Sequence, residues 1–397
     1  MNKIKITITG QAGFVGTHLY NYLKVDDQFE IIDFKDSYFQ DQSKLEEIVT
    51  QSDAIVHLAA MNRHDDDQIL FDTNIKLVEQ LIDSCKATNS TPHILFSSST
   101  QEERNNPYGR SKFKGRELLE TWAKENGAAF TGLIIPNVFG AFGIPNYNSV
   151  VATFCYKLTH NEVPEIHVDG TLDLIYVHKL VEEMIQKVKE KADRDLSAPL
   201  RSGRDDTKRH SDHSEVKRNE VEESVEVTKH IERYTVLYQY KAKVTEILAI
   251  LKNFKEEYLE KGVFPDLSNP FEKDLFNTYR TYIDEDHYPF YYTKHTDNRG
   301  SFVEIARTNS SGQFSYSTTV PGITRGNHYH TRKAERFAVI KGKATIQLRR
   351  IGTDKIINYE LNGENPSFVD MPIWTTHNII NTGEEESVIM ANECLTR

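Results

Sequence analysis

IKITITGQAGFVGTHLY, residues 4–20, decides the fold class of the first half of this chain. Isoleucines alternate with polar residues from Ile4 to Ile8, the two-residue period of a strand. Glycines follow at positions 10, 13 and 16, and Phe14 to Leu23 carries helical spacing. In a strand–turn–helix unit these glycines have separate tasks. Gly10 permits the tight turn, Gly13 lets backbone approach a pyrophosphate, and Gly16 allows close helix–strand packing. The helix N-terminus, with Phe14 and Val15, faces the phosphate charge. Phe29 to Asp33 reads as a second strand, and Asp33 closes it about 20 residues on, where an acid reaches ribose hydroxyls. This context predicts dinucleotide binding.

The rhythm continues outward. AIVHLAA (54–60) and HILFSSS (93–99) read as strands, NIKLVEQLIDSCKA (74–87) and KFKGRELLETWAKEN (112–126) as helices, and TGLIIPNVFG (131–140) as a strand and loop. Strands alternating with helices predict an α/β Rossmann-type, doubly wound parallel sheet. About half of residues 187–226 are charged with mixed signs, which predicts a weakly ordered insertion over 187–230. TVLYQYK (235–241) then reads as a strand and KVTEILAILKNFKEEYLE (243–260) as an amphipathic helix. From Tyr288 onward short strands alternate with Gly, Asn, Asp and Pro, which predicts an all-β barrel. The expected domains are 1–284 and 285–397.

With 397 residues the chain is too long for one ordinary core. Lys and Arg total 48 against 59 for Asp and Glu, a net charge of −11 that argues against nucleic acid or an anionic membrane as the main partner. The longest apolar stretch, near Leu133 to Ile144, is broken by Pro136, Asn137, Gly140 and Gly143, too short a run to span a membrane. The three cysteines, Cys85, Cys155 and Cys394, are far apart and odd in number, as expected of free thiols in a reducing, cytoplasmic setting.

Tyr108-Gly-Arg-Ser-Lys112 places a phenol and an ammonium four apart on one helix. They share a face, so the ammonium can depress the phenol pKa and ready it for proton transfer. With the GxxGxxG spacing, VHLAA (56–60) and SSS (97–99), this resembles the extended short-chain dehydrogenase/reductase family. The resemblance implies that Leu58, Ala59 and Ala60 wall the cofactor, that Tyr108 and Lys112 are catalytic, and that Lys112 also holds cofactor. It implies that Ser99 bonds the substrate carbonyl, with Ser98 as the alternative. PNVFG (136–140) resembles the substrate-side motif of sugar-nucleotide members, which makes Asn137 a candidate substrate contact. Two departures stand out. Ile134 and Ile135 occupy the place of a common arginine, and His178 replaces the acid of a YVD segment.

Gly322-x5-His328-x-His330-x4-Glu335-x6-Gly342 and Pro372-x-Trp374-x-x-His377-x-x-x-Asn381 fit the two cupin motifs, with Trp374 where a glycine is usual. His328 and His330, two apart on a strand, would share a face, with Glu335 on the next strand and His377 on a distant one. Such a set suits a divalent transition metal, Zn2+ first. Asp297-Asn-Arg299-Gly-Ser-Phe302-Val-Glu304 resembles the segment by which cupin-fold nucleotide-sugar 3,5-epimerases hold their substrate, and it nominates Arg299. RGNH (325–328) resembles their RGLH, whose histidine is the base; here that position would be a metal ligand.

A short-chain reductase followed by a metal cupin resembles the bifunctional capsular-polysaccharide enzymes. The resemblance implies C3 epimerisation of a UDP-4-keto-6-deoxy-N-acetylhexosamine in the barrel and then C4 reduction. The product would be UDP-2-acetamido-2,6-dideoxy-L-talose, on the way to N-acetyl-L-fucosamine. It implies NADPH, although Asp33 would repel a 2′-phosphate and favours NADH, unless Lys35 offsets it. By analogy a homodimer is expected. Two alternatives remain open here: a barrel that only dimerises or senses, and an iron dioxygenase.

Overall fold

The computed structural model describes residues 3–197, 230–293, 295–297, 300–302 and 313–394. Arg299, Glu304 and positions 198–229 of the charged stretch lie outside the described residues. The chain forms two compact units, one of Met1–Val138 with Ile175–Gln239, the other of Phe139–Leu174 with Tyr240–Arg397.

The first unit is built on a six-stranded sheet. Its strands are β1 (Ile4–Thr9), β2 (Phe29–Ile32), β3 (Ala54–His57), β4 (His93–Ser99), β5 (Phe130–Ile135) and β8 (Ile231–Thr235). They run parallel in the order β2-β1-β3-β4-β5-β8, so the strand order reverses beside β1. A parallel sheet buries both faces, and alternate residues serve alternate cores. Ile6, Ile8, Val56, Leu95 and Leu133 pack with Leu19 of helix α1 (Phe14–Lys24) and Met184 of the helix Val177–Ser197. Ile55, Ile94, Phe96 and Phe130 pack on the other face. Their partners are Val78 of α3 (Asp67–Thr88) and Leu119 and Trp122 of α4 (Pro107–Asn126). The Rossmann-type expectation holds.

Several boundaries shift for local reasons. The helix expected at 74–87 begins at Asp67, because the Asp66 side chain accepts from the N–H groups of Gln68 and Ile69. The helix expected at 112–126 starts at Pro107, capped by Asn106. The strand expected at 235–241 divides in two. β8 ends at Thr235, and β9 (Tyr240–Lys243) pairs instead with β7 (Thr171–Tyr176) in the register Leu174↔Tyr240. The charged insertion does not begin at Lys187, since Val177–Ser197 is one helix. Lys187 pairs with Glu232 at 2.9 Å and Lys189 with Asp26 at 2.9 Å.

The second unit joins a helical segment to two antiparallel sheets. Its helices are α5 (Val150–Thr159), a helix Val244–Asn253 that runs into a π-helical stretch Phe254–Glu260, and a helix Pro270–Tyr279. One sheet contains β15 (Ala334–Lys341), β18 (Ser367–Met371) and β20 (Ser387–Cys394). The other runs β14 (Thr324–His328), β19 (Thr375–Asn381), β16 (Lys343–Arg350) and β17 (Ile357–Asn362). Val339, Ile346, Leu361, Val369 and Ile379 form their shared core. This is the expected cupin-like barrel.

Arg336 of β15 lies between the rings of Phe264 and Phe368, at 4.5 and 3.6 Å from their centroids. It pairs with Asp370 at 2.8 Å and donates to the Gly262 carbonyl at 2.8 Å. Tyr258 and Tyr288 both donate to Asp370. A buried ion pair with every partner in place binds the helical segment to the barrel.

Candidate functional site

The glycine turn has the shape a dinucleotide needs. Gly10 has φ +69°, and a Cβ there would lie 2.8 Å from the Ala59 nitrogen. A Cβ on Gly16 would lie 2.3 Å from the Gly10 carbonyl. Gly13 donates to that same carbonyl at 3.0 Å and opens α1 in extended conformation. Open backbone at a helix N-terminus is the cradle a pyrophosphate fits. Leu58 donates to the Thr9 carbonyl at 3.2 Å and Ala59 to the Thr9 hydroxyl at 3.3 Å, which sets residues 58–60 beside the turn. Asp33 is exposed just beyond β2.

Tyr108 and Lys112 lie together on α4, and Ser99 ends β4. The Lys112 ammonium is 5.6 Å from the Tyr108 ring centroid and 3.4 Å from the Ser97 hydroxyl. Lys112 is only 3% exposed, and burial pushes its pKa down to about 7 while Glu102 acts to raise it. Strand alternation sends Ser98 and Ser99 to opposite faces of β4. Ser98 is buried and donates to Glu102, which also receives Arg116 at 2.9 Å. Ser99 is half-buried, on the face shared with Ser97, and accepts from the Gln101 N–H at 3.1 Å.

Three parts of this site escape sequence reading. Asn74 donates to the Met61 carbonyl at 2.9 Å and to Ser111 at 3.0 Å, tying the segment after β3 to the helix that carries Lys112. Arg116 and Glu102 form a buried pair behind the serines. A Cβ at Gly109 would lie 2.0 Å from the Gln101 carbonyl, so the glycine inside YGRSK lets the turn 100–103 sit against α4. Only Gly109 left a signal, its place in the motif.

The two departures also gain a reason. Ile134 and Ile135 are buried in the sheet, and Asn137 is exposed after it. His178 is buried against His18, Tyr22 and Tyr176, at ring separations of 5.4, 5.5 and 4.7 Å. A carboxylate among those rings would pay a large desolvation cost.

In the barrel, ligand atoms of His328, His330, Glu335 and His377 all lie within 4.8 Å of one another. His328 and His377 are cross-strand partners on β14 and β19. His330 is not on the strand as expected. A bulge at Asn327, with φ +62°, turns β14 off after His328, and the two rings still meet at 4.9 Å. The Trp374 N–H donates to the His330 carbonyl at 2.9 Å, with Trp374 itself at φ +58° where a glycine is usual. His377 Nε2 is 2.9 Å from Glu335 Oε2 but out of hydrogen-bonding line, a buried nitrogen left unsatisfied. Three imidazoles and a carboxylate with that orphan nitrogen fit a divalent ion.

Residues 6–196 match the NAD dependent epimerase/dehydratase family, and 295–397 match the polysaccharide biosynthesis C-terminal domain. A UDP-2-acetamido-2,6-beta-L-arabino-hexul-4-ose reductase of Pseudomonas aeruginosa is 31% identical over 99% of this chain and 96% of its own. The chain belongs to the CapF family of nucleotide-sugar epimerases and reductases. The crystal structure of the capsular polysaccharide assembling protein CapF from Staphylococcus aureus agrees, with 31% identity, a TM-score of 0.60 and coverage of 99% and 96%. The spore coat polysaccharide biosynthesis protein SpsL of Bacillus subtilis is 27% identical over 24% of this CapF-family chain and 71% of its own. Among the described residues no helix is long and apolar enough to cross a membrane.

Proposed function

We propose that this chain epimerises C3 of a UDP-4-keto-6-deoxy-N-acetylhexosamine in its barrel and then reduces C4 with NADPH. The product is UDP-2-acetamido-2,6-dideoxy-L-talose. The reading rests on one observation, a full-length relative whose name states a hexul-4-ose reductase. The functional division stays near residue 284, and the enzyme is taken as a cytoplasmic homodimer. Asn137 and Arg299 are assigned to the sugar nucleotide.

Gly10, Gly13, Phe14, Val15 and Gly16 would hold the dinucleotide phosphates, Asp33 its ribose, and Leu58, Ala59, Ala60 and Lys112 its inner end. His328, His330, Glu335 and His377 would hold Zn2+. When bound, the nicotinamide supplies hydride and the metal a fixed positive charge. In the reduction, the Ser99 hydroxyl donates a hydrogen bond to the C4 carbonyl oxygen and orients it. The Tyr108 hydroxyl passes its proton to that oxygen, so the carbonyl becomes an alcohol. The Lys112 ammonium lowers the phenol pKa and prepares the transfer. In the epimerisation, the 4-keto group acidifies the C3 proton, which is removed and returned on the opposite face.

Incubation of the 4-keto sugar in deuterated water tests both halves. Deuterium should enter C3 without cofactor, and reduction should appear only when NADPH is added. Absence of C3 exchange would make the barrel a non-catalytic module.

A further inference from the structure

Strand pairing sets three of the four candidate metal ligands. His328 of β14 lies opposite His377 of β19, and Glu335 of β15 lies opposite Met371 of β18. His330 falls past the end of β14, outside the ladder. Its Nε2 nonetheless comes to 3.2 Å from Glu335 Oε2. The segment Tyr329–His330 therefore needs another support.

That support is Trp374. Tyr329, the residue between the two histidines, stacks on its indole, with ring centroids 5.6 Å apart and planes 25° from parallel. The Trp374 N–H donates to the His330 carbonyl at 2.9 Å. Trp374 is itself buried and anchored. It directly precedes β19, and its carbonyl accepts from the N–H of Ile351, just past β16, at 2.9 Å. Its φ of +58° is costly for any residue with a Cβ, and such backbone persists only where its surroundings hold it. We infer that Trp374 and Tyr329 are positioning residues for the proposed metal centre, their stacked rings holding His330 in place as the fourth ligand. The inference rests on the metal reading of that cluster, and every residue in it belongs to one compact unit. The physical effect is preorganisation. A ligand already in place loses little conformational freedom when the ion arrives, and supporting partners of this kind tune metal affinity.

The test uses the full chain, stripped of metal and loaded with Co2+ alone, whose visible spectrum reports its ligand set. Tyr329→Leu removes the ring from a half-buried position. It should weaken Co2+ about ten- to a hundredfold, the range for loss of a partner behind a metal ligand, and shift the spectrum toward that of His330→Ala. Tyr329→Phe keeps the stack and should bind as wild type does. Tyr329→Leu combined with His330→Ala should bind no more weakly than His330→Ala alone, the mark of a shared path. In the metal-free chain, amide exchange over 328–331 should quicken in Tyr329→Leu and stay constant over 375–381. Wild-type Co2+ affinity and spectrum in Tyr329→Leu overturn the inference. So does a loss that persists in full on top of His330→Ala, or a Tyr329→Phe as weak as Tyr329→Leu. If the wild-type chain binds no Co2+, the metal reading falls, and exchange over 328–331 alone then decides whether the rings hold His330.

Discussion

Lys112 answers two opposed demands. In the proposed reduction it acts on the phenol from its buried place beside Phe96 and Tyr108, yet burial disfavours its charge. Its pKa of about 7 means that the ammonium is present below that pH and lost as pH rises through it. Reduction should therefore show kcat/KM falling as pH rises above about 7 in wild type. Glu102→Gln removes the charge that raises this pKa, and the fall should move to lower pH. A profile that is flat from pH 6 to roughly 9 removes the ammonium from the mechanism. Asp33 poses the other residue-scale question. Exposed just beyond β2, it would oppose a 2′-phosphate in the proposed cofactor site, so Asp33→Ala should move the kcat/KM preference toward NADPH. A preference unmoved by that change would discard the charge argument.

Among the elements, the helix Pro270–Tyr279 places Asp274 where it is almost fully buried, accepting from Tyr240 at 2.7 Å. Burial raises its pKa to about 6, against the lowering hydrogen bond from Tyr240. The folded state thus binds the proton more tightly than the unfolded chain, and stability falls as pH rises from about 4 to 6. Urea melts of wild type at the two pH values should differ by on the order of 2 kcal/mol from this group, and Asp274→Asn should abolish the difference. An unaltered pH slope in the variant would place the titration elsewhere. The elements also show what a sequence reader can see. Strands such as His93–Ser99 were legible because both faces of a parallel strand are apolar. β8 was hidden, since IERYT (231–235) has little apolar pattern and gains its place by pairing Phe130↔Ile231.

For the whole molecule, Tyr108 and Lys112 lie in one compact unit and the His328, His330, Glu335 and His377 cluster in the other, so the two proposed reactions should be separable by substitution. Tyr108→Phe should lower reduction by about a hundredfold or more while leaving C3 exchange intact. His377→Ala should remove the bound metal and C3 exchange, and a chelator should lower the melting temperature of wild type but not of the variant. Equal loss of both reactions in either variant would show that the centres are not independent. Equal melting curves with and without chelator would remove the metal from the stability of the barrel. The net charge of −11 sets a whole-molecule limit. Two anionic nucleotides must be met by local donors, such as the Gly13 backbone, and not by a general positive field.

By itself the sequence determined the order of two chemistries along the chain. Glycine spacing, YGRSK and the cupin motifs are short, and their meaning depends on strand and helix periods that neighbouring residues encode. Only the tertiary structure decided that Ser97 meets Lys112, that Ser98 instead meets the Glu102–Arg116 pair, and that Arg350 reaches Phe142. These pairings join residues of different elements. They exist because sheet register and packing bring the residues into contact, and no local pattern records that contact.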